Sequence, residues 1–241
     1  MQRRPGPTLT EGTSLRHLDE EEILARILPF FGRPASLVVP PGDDAAVLRT
    51  PDRTIATTDA VVLGRDWLDE WSSGADIGHK VIAQNLADIA AMGGRPTAVL
   101  LTLVVDPDVS IEWVTDLAQG IAEACSEADV AVLGGDLSSA PGGVVIVSVT
   151  ALGDLVGDPV LRSGARPGDH VGVAGSLGLS DAGLRLLQED RPHADPEAVE
   201  VHRRPRPPLE QGVAAVAAGV TAMLDISDGL LRDAGRIARA S

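Results

Sequence analysis

The chain has 241 residues, 44 % of them hydrophobic, and sets 35 acidic against 20 basic side chains for a formal charge of −15. That length accommodates one large domain or two small ones, and the charge repels nucleic acid and anionic membrane surfaces. Neither is expected as a partner.

A single cysteine, Cys125, excludes an internal disulfide framework and a cysteine zinc site; beside Ala122 and Ala124 it reads as a small buried filler. The charged start MQRRPGPT leads into no apolar secretory region, and the longest apolar run, Ala98 to Val105, is too short to span a bilayer. A cytoplasmic protein is expected.

In chain order, residues 1–16 read as a disordered tail and Leu18 to Phe31 as an amphipathic helix with an acidic first turn. Pro40-Pro41-Gly42 breaks the chain, and strands are expected over Ala45 to Leu48 and Thr54 to Val62. Asp76 to Met92 predicts a helix stopped by Gly93-Gly94, with Ile82, Leu86 and Ile89 on one face and Asn85 and Asp88 together on the next. A strand over Thr97 to Val105, a helix from the N-cap Ser110 to about Glu127, a short strand from Val130 to Leu133 ending in Gly134-Gly135-Asp136, and a strand over Gly143 to Leu152 follow. This order gives an α/β layer, a mixed sheet with helices on one face.

The Gly- and Pro-rich segment 157–169 marks a boundary between a first domain, 17–156, and a second, 170–241. In the second, strands are expected at His170 to Ala174 and Thr221 to Asp225. Helices are expected at Ser180 to Glu189, Leu209 to Ala218 and from Ser227 onward, and a helical turn at Pro196 to His202 within a Pro- and Arg-rich loop. Two strands and three helices make a poor closed layer, so this α/β domain reads as incomplete.

The chemistry-bearing residues are carboxylates in apolar or Gly-rich settings. Asp88 on a helix this apolar requires a compensating cation or several donors. Asp44, Asp59, Asp136 and Asp225 recur in similar settings, with Thr57 and Thr58 adding oxygens and Gly134 and Gly135 admitting a phosphate close to the backbone. No Walker A loop is present. Carboxylates bridged to phosphate oxygens through several Mg²⁺ ions are the alternative that hard-ligand chemistry offers, and these residues are read as converging on one such site.

Jointly and in this order, PPGDDAAVL, ATTD, NLADIAAMGGRP, VLGGDLS, LRSGARPGD and LDISDGL resemble the thiamine-monophosphate kinases of the AIR synthetase and selenophosphate synthetase superfamily. The resemblance implies an AIR synthetase-like (PurM-like) two-domain fold and a homodimer built across the N-terminal sheets. It also implies Mg²⁺-dependent, direct in-line transfer from ATP to thiamine phosphate without a phosphoenzyme. Metal positions carried over are Asp44, Thr57, Thr58, Asp59, Asp88, Asp136, Asp225 and Asp228; ATP contacts are Gly135, Asp136, Ser227 and Arg162, the last as a cationic clamp on phosphate.

Two departures bear on substrate. Where such kinases carry a histidine after Thr-Thr-Asp, this chain reads Gly64-Arg65-Asp66-Trp67, which makes Asp66 the expected contact to a cationic substrate ring. A later Gly-Gly-Glu-Asp-Tyr segment and terminal aromatic of those kinases are missing. The alternatives are a synthetase of the same superfamily with another acceptor, and a non-catalytic metal- or nucleotide-binding module. The five histidines are scattered without metal spacing, Trp67 and Trp71 read as a helix-packing pair, and Arg203, Arg204 and Arg206 read as a solvated loop.

Overall fold

The computed structural model describes residues 6–32, 36–40, 45–155 and 157–241. Six strands and seven α-helices follow one another among them: α1 (Glu20–Ile27), β1 (Leu37–Val39), β2 (Val47–Leu48), β3 (Thr54–Val62), α2 (Gly74–Ala91), β4 (Arg95–Val105), α3 (Ile111–Glu127), β5 (Ala131–Ser139), β6 (Val145–Asp154), α4 (Leu179–Gln188), α5 (Pro196–Arg203), α6 (Leu209–Ala217) and α7 (Leu230–Ala240).

The main sheet has the order β3-β6-β4-β5, and β1 and β2 form a separate antiparallel pair. β4 and β5 are parallel, joined by the crossover helix α3. β6 lies antiparallel to β4, since Asp106 N–H donates to Val144 while the Thr97 hydroxyl donates to Leu152. The sheet is therefore mixed, as expected.

Contacts divide the chain into two compact units. The first comprises 1–49, 58–82 and 98–150; the second comprises 50–57, 83–97 and 151–241. Within the first, Ile77, Val81 and Ile82 of α2 and Trp113, Val114, Leu117 and Ile121 of α3 are buried. The two helices approach backbone to backbone, because a Cβ on Gly120 would lie 2.2 Å from the Ala75 carbonyl oxygen and one on Gly78 would lie 2.6 Å from that of Leu117. With few aromatics to fill a wide gap, small residues let α-helices of this chain pack closely. α2 begins with reciprocal capping, Asp76 accepting from Ser73 N–H and Ser73 Oγ accepting from Asp76 N–H. α3 begins at the predicted cap, Ser110 accepting from Trp113 N–H.

Several expectations change. Residues 1–5 of the tail lie outside the described residues, but the remainder is ordered: Leu15 and Arg16 N–H donate to Val109 and Pro107, Ser110 N–H donates to Leu9, and Leu15 is buried. Its few apolar residues suffice because backbone bonds to the start of α3 hold it. Trp67 pairs with Trp113 rather than Trp71: the rings stack at 5.5 Å and 9°, residues 67–71 being a turn and not a helix. Gly134-Gly135-Asp136 does not end β5 but lies inside it. The register shifts between Val132 and Gly134, Gly134 takes φ of 134°, and the strand continues to Ser139. A bulge, not a turn, is what these glycines supply.

In the second unit, α4 and α5 pack together, and the turn predicted at Pro196 forms all of α5, capped by Asp195 on Ala198 N–H. The strands expected at 170–174 and 221–225 are absent. Val171 is 85 % exposed, and among the described residues the second segment bonds through Met223 N–H to Leu161, beside Gly164, instead of pairing with the first. β-rich composition without a hydrogen-bonding neighbour leaves extended chain. The last helix begins at Leu230, not Ser227, because Ser227 and Asp228 N–H bond to a side chain further along, Asp233. No described helix is long and apolar enough to cross a membrane.

Candidate functional site

Within the second unit the structure gathers Thr57, Asp88, Asp225 and Arg162. Thr57 comes from β3, its side chain half-buried by the alternation of the strand, and its hydroxyl donates to Asp88 Oδ2 at 3.0 Å. Asp88 projects from the last turn of α2, one residue before the fully buried Ile89. Asp225 is half-buried, and its carboxyl is pushed above the ordinary range by burial first, then by the negative charges of Asp88 and Asp233. Arg162, in a short 3-10 turn over Arg162–Gly164, acts on Asp225 in the opposite sense. The turn is fixed to Ser241, whose Oγ donates to the Arg162 carbonyl at 2.9 Å and accepts from Ala165 N–H. Two like-charged carboxylates held with one guanidinium form a centre of excess negative charge.

Ser227 and Asp228 lie in the loop that follows Asp225. Asp228 forms ion pairs with Arg236 at 2.5 Å and Arg232 at 3.5 Å, and Asp233 receives both backbone N–H groups of the loop. Asp233 and Arg236 escaped the sequence reading. The available signal was their spacing of three on α7, which put an acid and a base on the same helical face beside the Asp-Ile-Ser-Asp-Gly segment.

The first unit holds the other described candidates apart from one another. Thr58 spends its hydroxyl on the Val149 carbonyl and accepts from Thr150. Asp59, exposed on β3, accepts from Ala60 N–H. Asp136, exposed on β5, accepts from Ser138 at 2.7 Å. β3 and β5 are the two edges of the four-stranded sheet, three strand spacings or about 14 Å apart. Gly135 is pressed on β4, where a Cβ would fall 2.1 Å from the Leu101 carbonyl oxygen. Asp66 closes its own turn by accepting from Val62 N–H at 2.9 Å. Asp44 lies outside the described residues. Among the described residues no group of three or more His, Cys, Asp or Glu is placed to hold a metal ion.

Comparison with known proteins defines the class first. Residues 42–155 match the family described as AIR synthase related protein, N-terminal domain. The thiamine-monophosphate kinase of Mycobacterium tuberculosis is 40 % identical over 237 residues, covering 96 % of this chain and 69 % of that protein. The crystal structure of the thiamine-monophosphate kinase from Stenotrophomonas maltophilia superposes with a TM-score of 0.76 at 33 % identity, covering 92 % of this chain and 70 % of that one. A second similar structure, AaThiL complexed with AMPPCP and TMP, gives a TM-score of 0.72 at 29 % identity, covering 88 % of this chain and 63 % of that one. The chain belongs to the thiamine-monophosphate kinase family, and it is a kinase.

Proposed function

We propose that the chain transfers the γ-phosphoryl group of ATP to thiamine phosphate, giving thiamine diphosphate, in a single in-line Mg²⁺-dependent step. The observation that carries this reading is the Asp88–Asp225 pair with Thr57 and Arg162 beside it, in a chain whose relative AaThiL is complexed with AMPPCP and TMP.

The donor set fits magnesium. Two half-buried carboxylates whose charges oppose one another, with a hydroxyl beside them, are hard oxygen donors that favour a divalent cation over a second guanidinium. Thr57, Asp88, Asp225 and Asp228 are the residues of the second unit that would hold it. Asp44, Thr58, Asp59 and Asp136 carry the same role in this reading. When bound, magnesium neutralises charge on the phosphoryl oxygens and orients them.

The chain's own groups do the rest. Arg162 offers a planar cation to phosphate, and Gly135, Asp136 and Ser227 are assigned to the nucleotide, Ser227 through its hydroxyl. Thr57 orients Asp88 by its hydroxyl bond. Asp66 is assigned to the thiamine ring, whose positive charge a carboxylate complements. No side chain is assigned as a covalent nucleophile, so the acceptor phosphate attacks directly. In this reading 17–156 is an AIR synthetase-like domain that carries dimerisation, 157–169 is a linker and 170–241 is a second AIR synthetase-like domain, in a cytoplasmic homodimer.

The test follows ³¹P resonances of the full chain with ATP, MgCl₂ and thiamine phosphate. The expected result is a new diphosphate signal that disappears when EDTA replaces magnesium. ATP consumption without thiamine diphosphate, or with a different phosphorylated acceptor, overturns the substrate assignment.

A further inference from the structure

The loop from Asp225 to Gly229 lacks regular structure, yet its backbone donors are not left to solvent. Ser227 N–H and Asp228 N–H both point to one oxygen, Oδ2 of Asp233, at 3.1 and 2.9 Å. Asp233 sits in the first turn of α7 and is 1 % exposed. Its second oxygen, Oδ1, accepts from Arg236 at 2.7 Å, and the other arm of that guanidinium reaches Asp228 Oδ2 at 2.5 Å. The network is closed: loop backbone to Asp233, Asp233 to Arg236, and Arg236 back to the loop side chain. A buried carboxylate is costly unless its lone pairs are filled. Here two amides and one guanidinium fill them, so the Asp233 side chain and the native loop conformation hold each other in place.

We infer that Asp233, neutralised by Arg236, is the positioning residue that fixes the Asp225–Gly229 loop in the geometry used for metal and nucleotide. This rests on the function proposed above, which places Asp225, Ser227 and Asp228 in the site. Asp233 itself touches no substrate: its backbone bonds are spent inside the loop, and it acts through the direction it gives Ser227 and Asp228. Arg236 has a double task, cancelling the buried charge and setting the Asp228 side chain.

The experiment uses the full chain and three variants, Asp233→Asn, Asp233→Ala and Arg236→Lys, with two readouts besides activity. Hydrogen exchange at the amides of Ser227 and Asp228 reports the loop. Calorimetric binding of Mg·AMPPCP, corrected for the folded fraction at each temperature, reports the site. Asp233→Ala is expected to speed exchange at both amides roughly tenfold or more, the scale of a hydrogen bond to a charged acceptor. It is expected to weaken Mg·AMPPCP roughly tenfold to a hundredfold, the range for groups that orient metal ligands. Asp233→Asn keeps one acceptor oxygen in the same place and is expected to recover part of both. Arg236→Lys keeps the charge but not the two-armed reach, and is expected to affect affinity more than exchange.

Unchanged exchange at Ser227 and Asp228 in folded Asp233→Asn and Asp233→Ala overturns the inference. So does a fall in thermal stability with the corrected dissociation constant unchanged, which is a purely structural role. Failure of the unaltered chain to bind Mg·AMPPCP, with exchange at the two amides still set by Asp233, instead sinks the functional reading on which the inference stands.

Discussion

Thr57 Oγ1 donates to Asp88 Oδ2 across 3.0 Å and so fastens a strand of the sheet to the helix above it at the point where negative charge is concentrated. The two partners predict opposite effects. Thr57→Val removes a hydrogen bond to a charged acceptor and is expected to cost about 1–2 kcal/mol of stability by urea unfolding. Asp88→Asn removes a like charge facing Asp225. In metal-free protein it is expected to leave stability unchanged or raise it, while weakening Mg·AMPPCP binding in calorimetry. A drop in metal-free stability with binding intact makes Asp88 a structural carboxylate and removes it from the site.

Close approach of α2 and α3 predicts a steric effect with no electrostatic part. Gly120 faces the Ala75 backbone so tightly that an added methyl would sit 2.2 Å from the carbonyl oxygen. Gly120→Ala improves intrinsic helix propensity, yet it is expected to destabilise by about 1–3 kcal/mol, because the helices must separate to admit it. A urea midpoint at or above that of the unaltered chain contradicts the packing.

The amphipathic helices, their caps and the central strands were legible because each is set by local periodicity and by short-range donors such as Ser110, whose hydroxyl caps α3. Asp88 was legible as a charged residue requiring a partner, since an apolar helix makes its carboxylate conspicuous. What sequence could not supply was pairing. Val171 and Val173 have the composition of a strand, but a strand forms only where another edge is presented, and both side chains stay exposed. Asp59 and Asp136 look alike in sequence, yet strand order β3-β6-β4-β5 sends them to opposite edges. Gly134-Gly135 reads equally as turn or bulge until the register with β4 is known. Asp233 was hidden because its neighbours in sequence, Ala234 and Gly235, give no sign that its carboxylate turns back to amides five and six residues earlier.

Cys125 is buried in α3, and burial pushes its thiol up from 9.0 to about 12. A raised value in the folded state favours the protonated form, so the associated stability is full below the unfolded value and is lost as pH rises through about 12. The chain has no tyrosine and one lysine, Lys80, which leaves this window little else to titrate. Cys125→Ala is expected to flatten the alkaline limb of the stability curve. Reaction with a thiol reagent at neutral pH should follow the unfolded fraction across a urea titration; fast labelling in native buffer would show the thiol to be accessible.

Asp106 predicts pH dependence of the other sign. Its Oδ1 accepts from Asp108 N–H at 2.8 Å and its Oδ2 from Gly143 N–H at 2.6 Å, so one carboxylate closes the turn after β4 and ties it to the approach to β6. The two backbone donors, aided by the charge of Arg16, hold it below the ordinary value of 3.8. A lowered folded value contributes stability that is present above the unfolded value and is lost as pH falls through the folded one. Asp106→Asn keeps one acceptor oxygen and gives up the charge, and it is expected to be less stable than the unaltered chain at neutral pH. The gap should close as both proteins are acidified through and below the ordinary carboxylate range, where the native carboxylate takes up its proton. Urea midpoints measured at several pH values between these limits check the slope, and a gap independent of pH would mean that Asp106 acts only through its shape.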